Sequence, residues 1–173
     1  MPLLRCPTAP ALFLALPMAI AAAIASPAIA SPAAVRADSP APAGCTGPVS
    51  ATWIDVEVEG VRSASGLVAI TLYADNSRKF LVKHGSLYVG RVPARAGTTR
   101  GCIYVPAPGV YALAIYHDAN GNQSFDRSGI GLPAEAYGFS NNPGTLAGLP
   151  TFRSVRISIS RSGLLTRIIL KYP

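Results

Sequence analysis

Along most of this chain hydrophobic residues recur at every second position. In Trp53–Glu59, Ile54, Val56 and Val58 alternate with Asp55, Glu57 and Glu59, the period-two pattern of a strand with one buried face. Gly60 and Ser63–Gly66 mark a turn. Leu67–Tyr73 (LVAITLY) is apolar on both faces and β-rich, which predicts a central strand. Asp75–Arg78 breaks the pattern, and Phe80–Lys83 reads equally as a short strand or a single helical turn. Leu87–Val92 predicts a weak strand, ended or placed at an edge by Pro93. Thr98–Val105 predicts the next, before a sharp turn at Pro106 and Pro108-Gly109. In Val110–His117, Tyr111, Leu113 and Ile115 share one face and Ala112, Ala114 and Tyr116 the other. Both faces are apolar, so this strand is expected to be buried on both sides, with the small alanines lying where another element packs close.

The C-terminal part alternates again. Val155, Ile157 and Ile159 face inward in Arg153–Ser160, and Ile168, Leu170 and Tyr172 do so in Leu164–Tyr172. Arg161-Ser162-Gly163 between them predicts a hairpin turn. Asp118–Thr151 shows no strand pattern over more than 30 residues, too long for an idle connection in a compact domain. About seven strands, one long loop and no helix predict an all-β fold. The expected architecture is a two-sheet antiparallel sandwich of the Ig-like or transthyretin-like kind.

The N-terminus changes the picture of where the protein works. Arg5 is the only charged residue before Arg36, Ala11–Ala25 is an apolar run, and Ala28-Ile29-Ala30 offers a small-x-small cleavage site before Ser31. Residues 1–30 therefore read as a signal peptide; the run is short for a membrane span, which needs about 20 residues. Residues 31–50, rich in Pro and Ala at their start, read as a flexible leader, and residues 51–173 as the sandwich domain. The mature protein is expected to be periplasmic or secreted and not integral to the membrane.

From Ser31 onward, 14 basic residues stand against 8 acidic ones, a net charge of +6. They are scattered and not interleaved with aromatics, which implies solubility and loose attraction to anionic surfaces and excludes nucleic-acid readout. Cys45 and Cys102 remain as an even pair in an exported chain, and a disulfide between them is expected. A lipid anchor on Cys45 is disfavoured, because Pro42-Ala43-Gly44 lacks the leucine of a lipid-attachment box.

The long loop holds the candidate chemistry. Asp118, Asn120, Asn122 and Asp126 place oxygen-bearing side chains at positions 1, 3, 5 and 9, with a carbonyl from Ser124 as a further ligand and Phe125 as an apolar anchor. Alternate spacing of hard oxygens suits Ca²⁺. Gln123 stands where an EF-hand has glycine, and Gly129 where it has a bidentate glutamate. Charge then comes from Asp118 and Asp126 alone unless Glu135 folds back, which implies weak affinity in the class of about 10⁻⁴–10⁻³ M. The competing reading is that these Asp and Asn residues make turns by bonding their own backbone. Gly138-Phe139-Ser140-Asn141-Asn142 reads either as small polar residues lining a pocket or as an Asx-rich turn with Phe139 plugging the core.

His117, Asp118 and Ser140 do not make a triad. Neighbours on a strand point to opposite faces, and Ser140 lacks a nucleophile-elbow signature. A structural His117, bonded to a loop carbonyl, is the expectation. His84 is isolated in a basic loop, and zinc is not expected.

Pro108-Gly109-Val110-Tyr111, His117-Asp118-Ala119-Asn120-Gly121-Asn122, Asp126, Gly131-Leu132-Pro133-Ala134-Glu135 and Gly138-Phe139-Ser140-Asn141-Asn142 together resemble the bacterial "domain of unknown function 2141" family. The resemblance spans about Ile54 to Tyr172. It implies a signal peptide, a β-sandwich and the Gram-negative cell envelope, and it implies no activity. Many members carry glycine at the position of Gln123, a departure that weighs against calcium in this chain.

Three functions are expected in descending order. The first is an exported, non-enzymatic module with a weak calcium loop at 118–126. The second is a carbohydrate- or peptide-binding accessory domain using the loop, with Tyr116, Phe125, Tyr137 and Phe139 available for stacking and an envelope polymer or protein as partner. The third is an envelope enzyme.

Overall fold

A computed structural model describes residues 40–144 and 149–173; the expected signal peptide and the leader as far as residue 39 lie outside the described residues. The strands are β1 (Thr52–Val61), β2 (Leu67–Ala74), β3 (Tyr88–Pro93), β4 (Gly97–Val105), β5 (Gly109–Asp118), β6 (Tyr137–Phe139), β7 (Arg156–Ile159) and β8 (Leu164–Ile169), with one helical turn, α1 (Phe152–Val155). They form a three-stranded sheet ordered β4-β1-β8. In the second, five-stranded sheet the order is β3-β2-β5-β6, and β7 also pairs with β5.

This is the two-sheet β-sandwich that the alternation predicts. Ile54, Val56 and Val58 of β1, Ile103 and Val105 of β4 and Ile168 of β8 pack in one cluster with Val68, Ile70 and Leu72 of β2 and Leu113 and Ile115 of β5. β2 and β5 are covered on their second face too. There Tyr73 and Ala112 join a smaller cluster with Phe80, Phe139 and Val155. The alanines of β5 are what let those rings approach the sheet.

Four details differ from the sequence pattern. No hairpin joins β7 to β8: β7 lies on β5 in one sheet and β8 on β1 in the other. The turn between them is latched to the other sheet by Ser162 Oγ donating to the Ala51 carbonyl (2.7 Å) and by Gly163 N–H donating to the Trp53 carbonyl (2.9 Å). Consequently β1 and β8 run parallel, from Ile54 opposite Leu164 to Glu59 opposite Ile169, while the other ladders are antiparallel. Alternation tells which side chains point inward, not which sheet presents them. The stretch from Arg153 begins as α1 and becomes strand only at Arg156, although Val155 and Ile159 are buried as expected. Finally, the long loop contains β6, three residues that no period-two window resolves. Phe80–Lys83 forms neither strand nor helix but a turn that buries Phe80.

The disulfide joins Cys45 to Cys102 with Cα atoms 4.4 Å apart. Beside it Thr46 bridges Ile103, and its N–H donates to the Cys102 carbonyl (2.9 Å). The bond closes 57 residues, worth about 4 kcal/mol by chain entropy.

On the outer face of the three-stranded sheet, register sets Glu57 of β1 opposite Arg100 of β4 and Arg167 of β8. Its carboxylate takes both, at 2.8 and 3.2 Å. The Arg100 hydrogen bond, helped by both arginine charges and opposed by desolvation, holds the Glu57 carboxyl below its usual 4.5. The folded state therefore binds this proton less readily than the unfolded chain, and the stability so gained is present above the unfolded value and lost as pH falls. Urea unfolding of Glu57→Gln should accordingly show a shallower loss of stability between about pH 5 and 3 than the parent protein; identical slopes would contradict this.

Candidate functional site

The long loop leaves the sheet at Asp118, the last residue of β5, which is wholly buried. Its carboxylate accepts the N–H groups of Asn122 (3.0 Å) and Gln123 (2.8 Å). Asn120 Oδ1 also accepts from Asn122 N–H (3.0 Å), and Asn122 Oδ1 accepts from Ser124 N–H (2.8 Å). These are the Asx turns anticipated for such residues. Gln123 adopts a left-handed conformation at φ 63°, so the sharp turn forms without glycine, at a cost of about 1 kcal/mol.

Asp126 accepts from the Asn120 amide (2.8 Å) and the Asn122 amide (3.0 Å). Glu135 does fold back: Asp126 N–H donates to its Oε2 (3.1 Å), while its Oε1 is buried without a hydrogen-bond partner. Desolvation, aided by the Asp126 and Asp118 charges and opposed by the Asp126 N–H, holds the Glu135 carboxyl above its usual 4.5. Among the described residues no three His, Cys, Asp or Glu side chains form a group able to hold a metal.

The Gly138–Asn142 run is tied into the fold. Gly138 passes so close to β8 that an added Cβ would meet Ile168 and the Ile169 backbone. Phe139 is buried with Phe80 and Val155. Ser140, fully buried, accepts the Leu113 N–H (3.0 Å) through Oγ and donates the hydroxyl to the Val155 carbonyl. The Asn141 amide donates to the Arg156 carbonyl (2.7 Å). The Asn142 side chain pairs with the β8 backbone, donating to the Arg167 carbonyl (2.9 Å) and accepting from Ile169 N–H (2.8 Å).

His117 is also built in. Its Nε2 stands 2.9 Å from the Ser65 carbonyl, which can only accept, so Nε2 carries the proton, and Nδ1 faces the Tyr172 hydroxyl at 3.3 Å. Neighbouring Gly66, at φ 72°, approaches the Asp118 carbonyl so closely that a Cβ there would collide with it.

Among the described residues, a groove of about 710 Å³ opens on the outer face of the five-stranded sheet. Two cross-strand rows floor it. Register aligns Arg91, Ala69, Tyr116 and Tyr137 in one, and Val89, Thr71, Ala114 and Phe139 in the other. Thr71 and Ala114 are small, so the middle of the floor is low. The 81–84 turn forms one wall, and loop residues Gln123, Phe125, Arg127 and Pro133 form another. Half-buried Tyr116, Phe125 and Tyr137 run edge to face, with centroids 5.4 and 6.4 Å apart, and Tyr137 meets Phe139 at 5.8 Å. Of the rings expected to be available for stacking, then, Phe139 belongs to the core and the other three present surface.

The groove also gathers Lys83, His84, Arg91 and Arg127. None of these four is marked by sequence spacing, since they come from three separate segments. The one signal that bears on them is the small-residue face of Thr71, Ala112 and Ala114, which marks where something covers the sheet or a hollow is left.

No curated protein and no solved structure matches this chain. A family model described as "Uncharacterized protein conserved in bacteria (DUF2141)" matches residues 56–164, more than half of the sequence and nearly all of the strands from β1 to β7, and the chain therefore belongs to that bacterial family.

Proposed function

We propose that the protein is an exported, non-enzymatic binding module of the bacterial cell envelope, and that its ligand site is the groove over the five-stranded sheet. The carrying observation is that cavity, about 710 Å³ and lined by Tyr116, Phe125 and Tyr137, within the range of about 300–1,000 Å³ typical of small-molecule sites. Aromatic rings beside hydrogen-bonding groups suit a carbohydrate or peptide segment of an envelope polymer. Export is supported by the N-terminal signal pattern and by the Cys45–Cys102 bond, since disulfides persist in oxidising compartments. The non-enzymatic reading is supported by the engagement of His117 and Ser140 inside the fold, away from the groove lining. On immobilised panels of bacterial envelope polysaccharides and peptides, the mature protein should retain at least one polymer. The Tyr116→Ala/Tyr137→Ala double variant should lose about tenfold in affinity. A protein that binds nothing on either panel, or a double variant that binds as well as the parent, would contradict the proposal.

A second reading, calcium in the 118–135 loop, is favoured by the unpartnered Glu135 Oε1 beside two other carboxylates. Ca²⁺ at about ten times its dissociation constant stabilises a folded protein by about 1.4 kcal/mol, several degrees in melting temperature. Protein stripped with chelator should gain that shift in about 10 mM Ca²⁺, and Glu135→Gln should not. An unmoved melting curve for the parent protein would dismiss the metal.

A further inference from the structure

Among the described residues the groove is lined by four groups that carry or can take positive charge, Lys83, His84, Arg91 and Arg127, and by no Asp or Glu. From this asymmetry, and resting on the groove being the ligand site, we infer that the ligand is a saccharide bearing carboxylates, with Arg91 as the residue that selects it.

Arg91 lies on β3 directly across Ala69 from Tyr116. One guanidinium nitrogen, Nη2, donates to the Gln123 carbonyl (3.1 Å), and the Arg91 charge acts on Tyr116 across the strands. The hydrogen bond to Gln123 anchors the guanidinium. A carboxylate is the matching group, because a guanidinium offers it parallel donors in a fixed fork.

The nearest acids do not supply that partner. Asp118 and Glu135 act on Tyr116 through their charge, but their oxygens accept loop amides and neither residue lines the groove. Arg127 stands over the Phe125 ring, 5.3 Å from its centroid, and Lys83 projects from the opposite wall. Positive charge thus surrounds a low-lying apolar floor, an arrangement that concentrates anions.

The geometry also separates sugar from peptide. Extended peptides gain affinity by adding a strand to a free sheet edge, whereas this groove lies over the face of β2 and β5, each paired on both sides. A pyranose needs no main-chain pairing. Its apolar C–H face can rest on Tyr116, Phe125 and Tyr137 while its carboxylate meets Arg91.

Isothermal titration of the mature protein with tetragalacturonate and with its fully methyl-esterified, uncharged form tests this. The acid should bind, and the ester at least tenfold more weakly. Raising the salt should weaken the acid alone. Arg91→Gln should remove the preference for the acid while Arg91→Lys retains part of it. Lys83→Gln, on the exposed 81–84 turn, should also reduce the preference and stands in if Arg91→Gln fails to fold. Equal affinity for acid and ester, or a preference that survives both glutamine variants, overturns the inference while leaving the groove as a ligand site. Failure of both forms to bind overturns it as well, and the polymer panels then decide separately whether the groove binds anything.

Discussion

The second edge of β5, the one not paired with β2, is the constraint around which the rest is arranged. This strand is buried on its inward face and over part of its outer one, and the N–H and C=O groups along it must find partners inside the protein. β2 supplies one edge from Leu67 to Ala74. No single strand supplies the other. β7 covers Gly109–Ala112, β6 covers Ala114–Tyr116, and the Ala136 carbonyl accepts the His117 N–H (2.9 Å). At Leu113, where the two short strands leave a gap, Ser140 completes the ladder from both ends: its Oγ accepts the Leu113 N–H, and its own N–H donates to the Leu113 carbonyl (3.1 Å).

That division explains why the long loop exists and where it goes. The chain must leave β5 at Asp118 and return to the same edge at Tyr137. The segment between is folded by Asx turns whose anchor is the buried Asp118 carboxylate, and its far end is held by Glu135. The ring of Phe125 then leans on Tyr116 and Tyr137, so the loop forms a wall instead of covering the sheet. The opposite wall comes from the turn that buries Phe80 against Tyr73 and Phe139. Between the walls the floor stays low because β2 and β5 carry Thr71 and Ala114 there. The groove is thus a by-product of how one strand edge is satisfied, and its charge comes from residues that the walls and β3 place at its margin.

Strands were legible because burial imposes a period of two, and β1, β2, β4 and β5 appear where Ile54–Val58, Leu67–Tyr73, Thr98–Val105 and Val110–His117 alternate or stay apolar. Pairing was less legible. Ile157 and Ile168 each declare an inward face, yet nothing in either segment says that they enter the core from opposite sheets. Asp118, Asn120 and Asn122 could be read as turn formers, but the left-handed Gln123 could not, since only the surrounding hydrogen bonds hold a glutamine in that conformation. The groove was hidden for a different reason. Arg91, Tyr116 and Tyr137 are neighbours only through strand register, and register depends on partners that alternation leaves open.

Amide hydrogen exchange resolved at Leu113 tests this dependence most directly. If Ser140 completes the edge of β5, the Leu113 amide should exchange as slowly as those of Ile115 and His117 on the same edge. Ser140→Ala should accelerate Leu113 selectively while the β2 amides stay protected. Exchange of Leu113 in the parent protein at the rate of the exposed loop residues Ala119 and Asn120 would contradict the account, because the edge would then be broken where it is said to be whole.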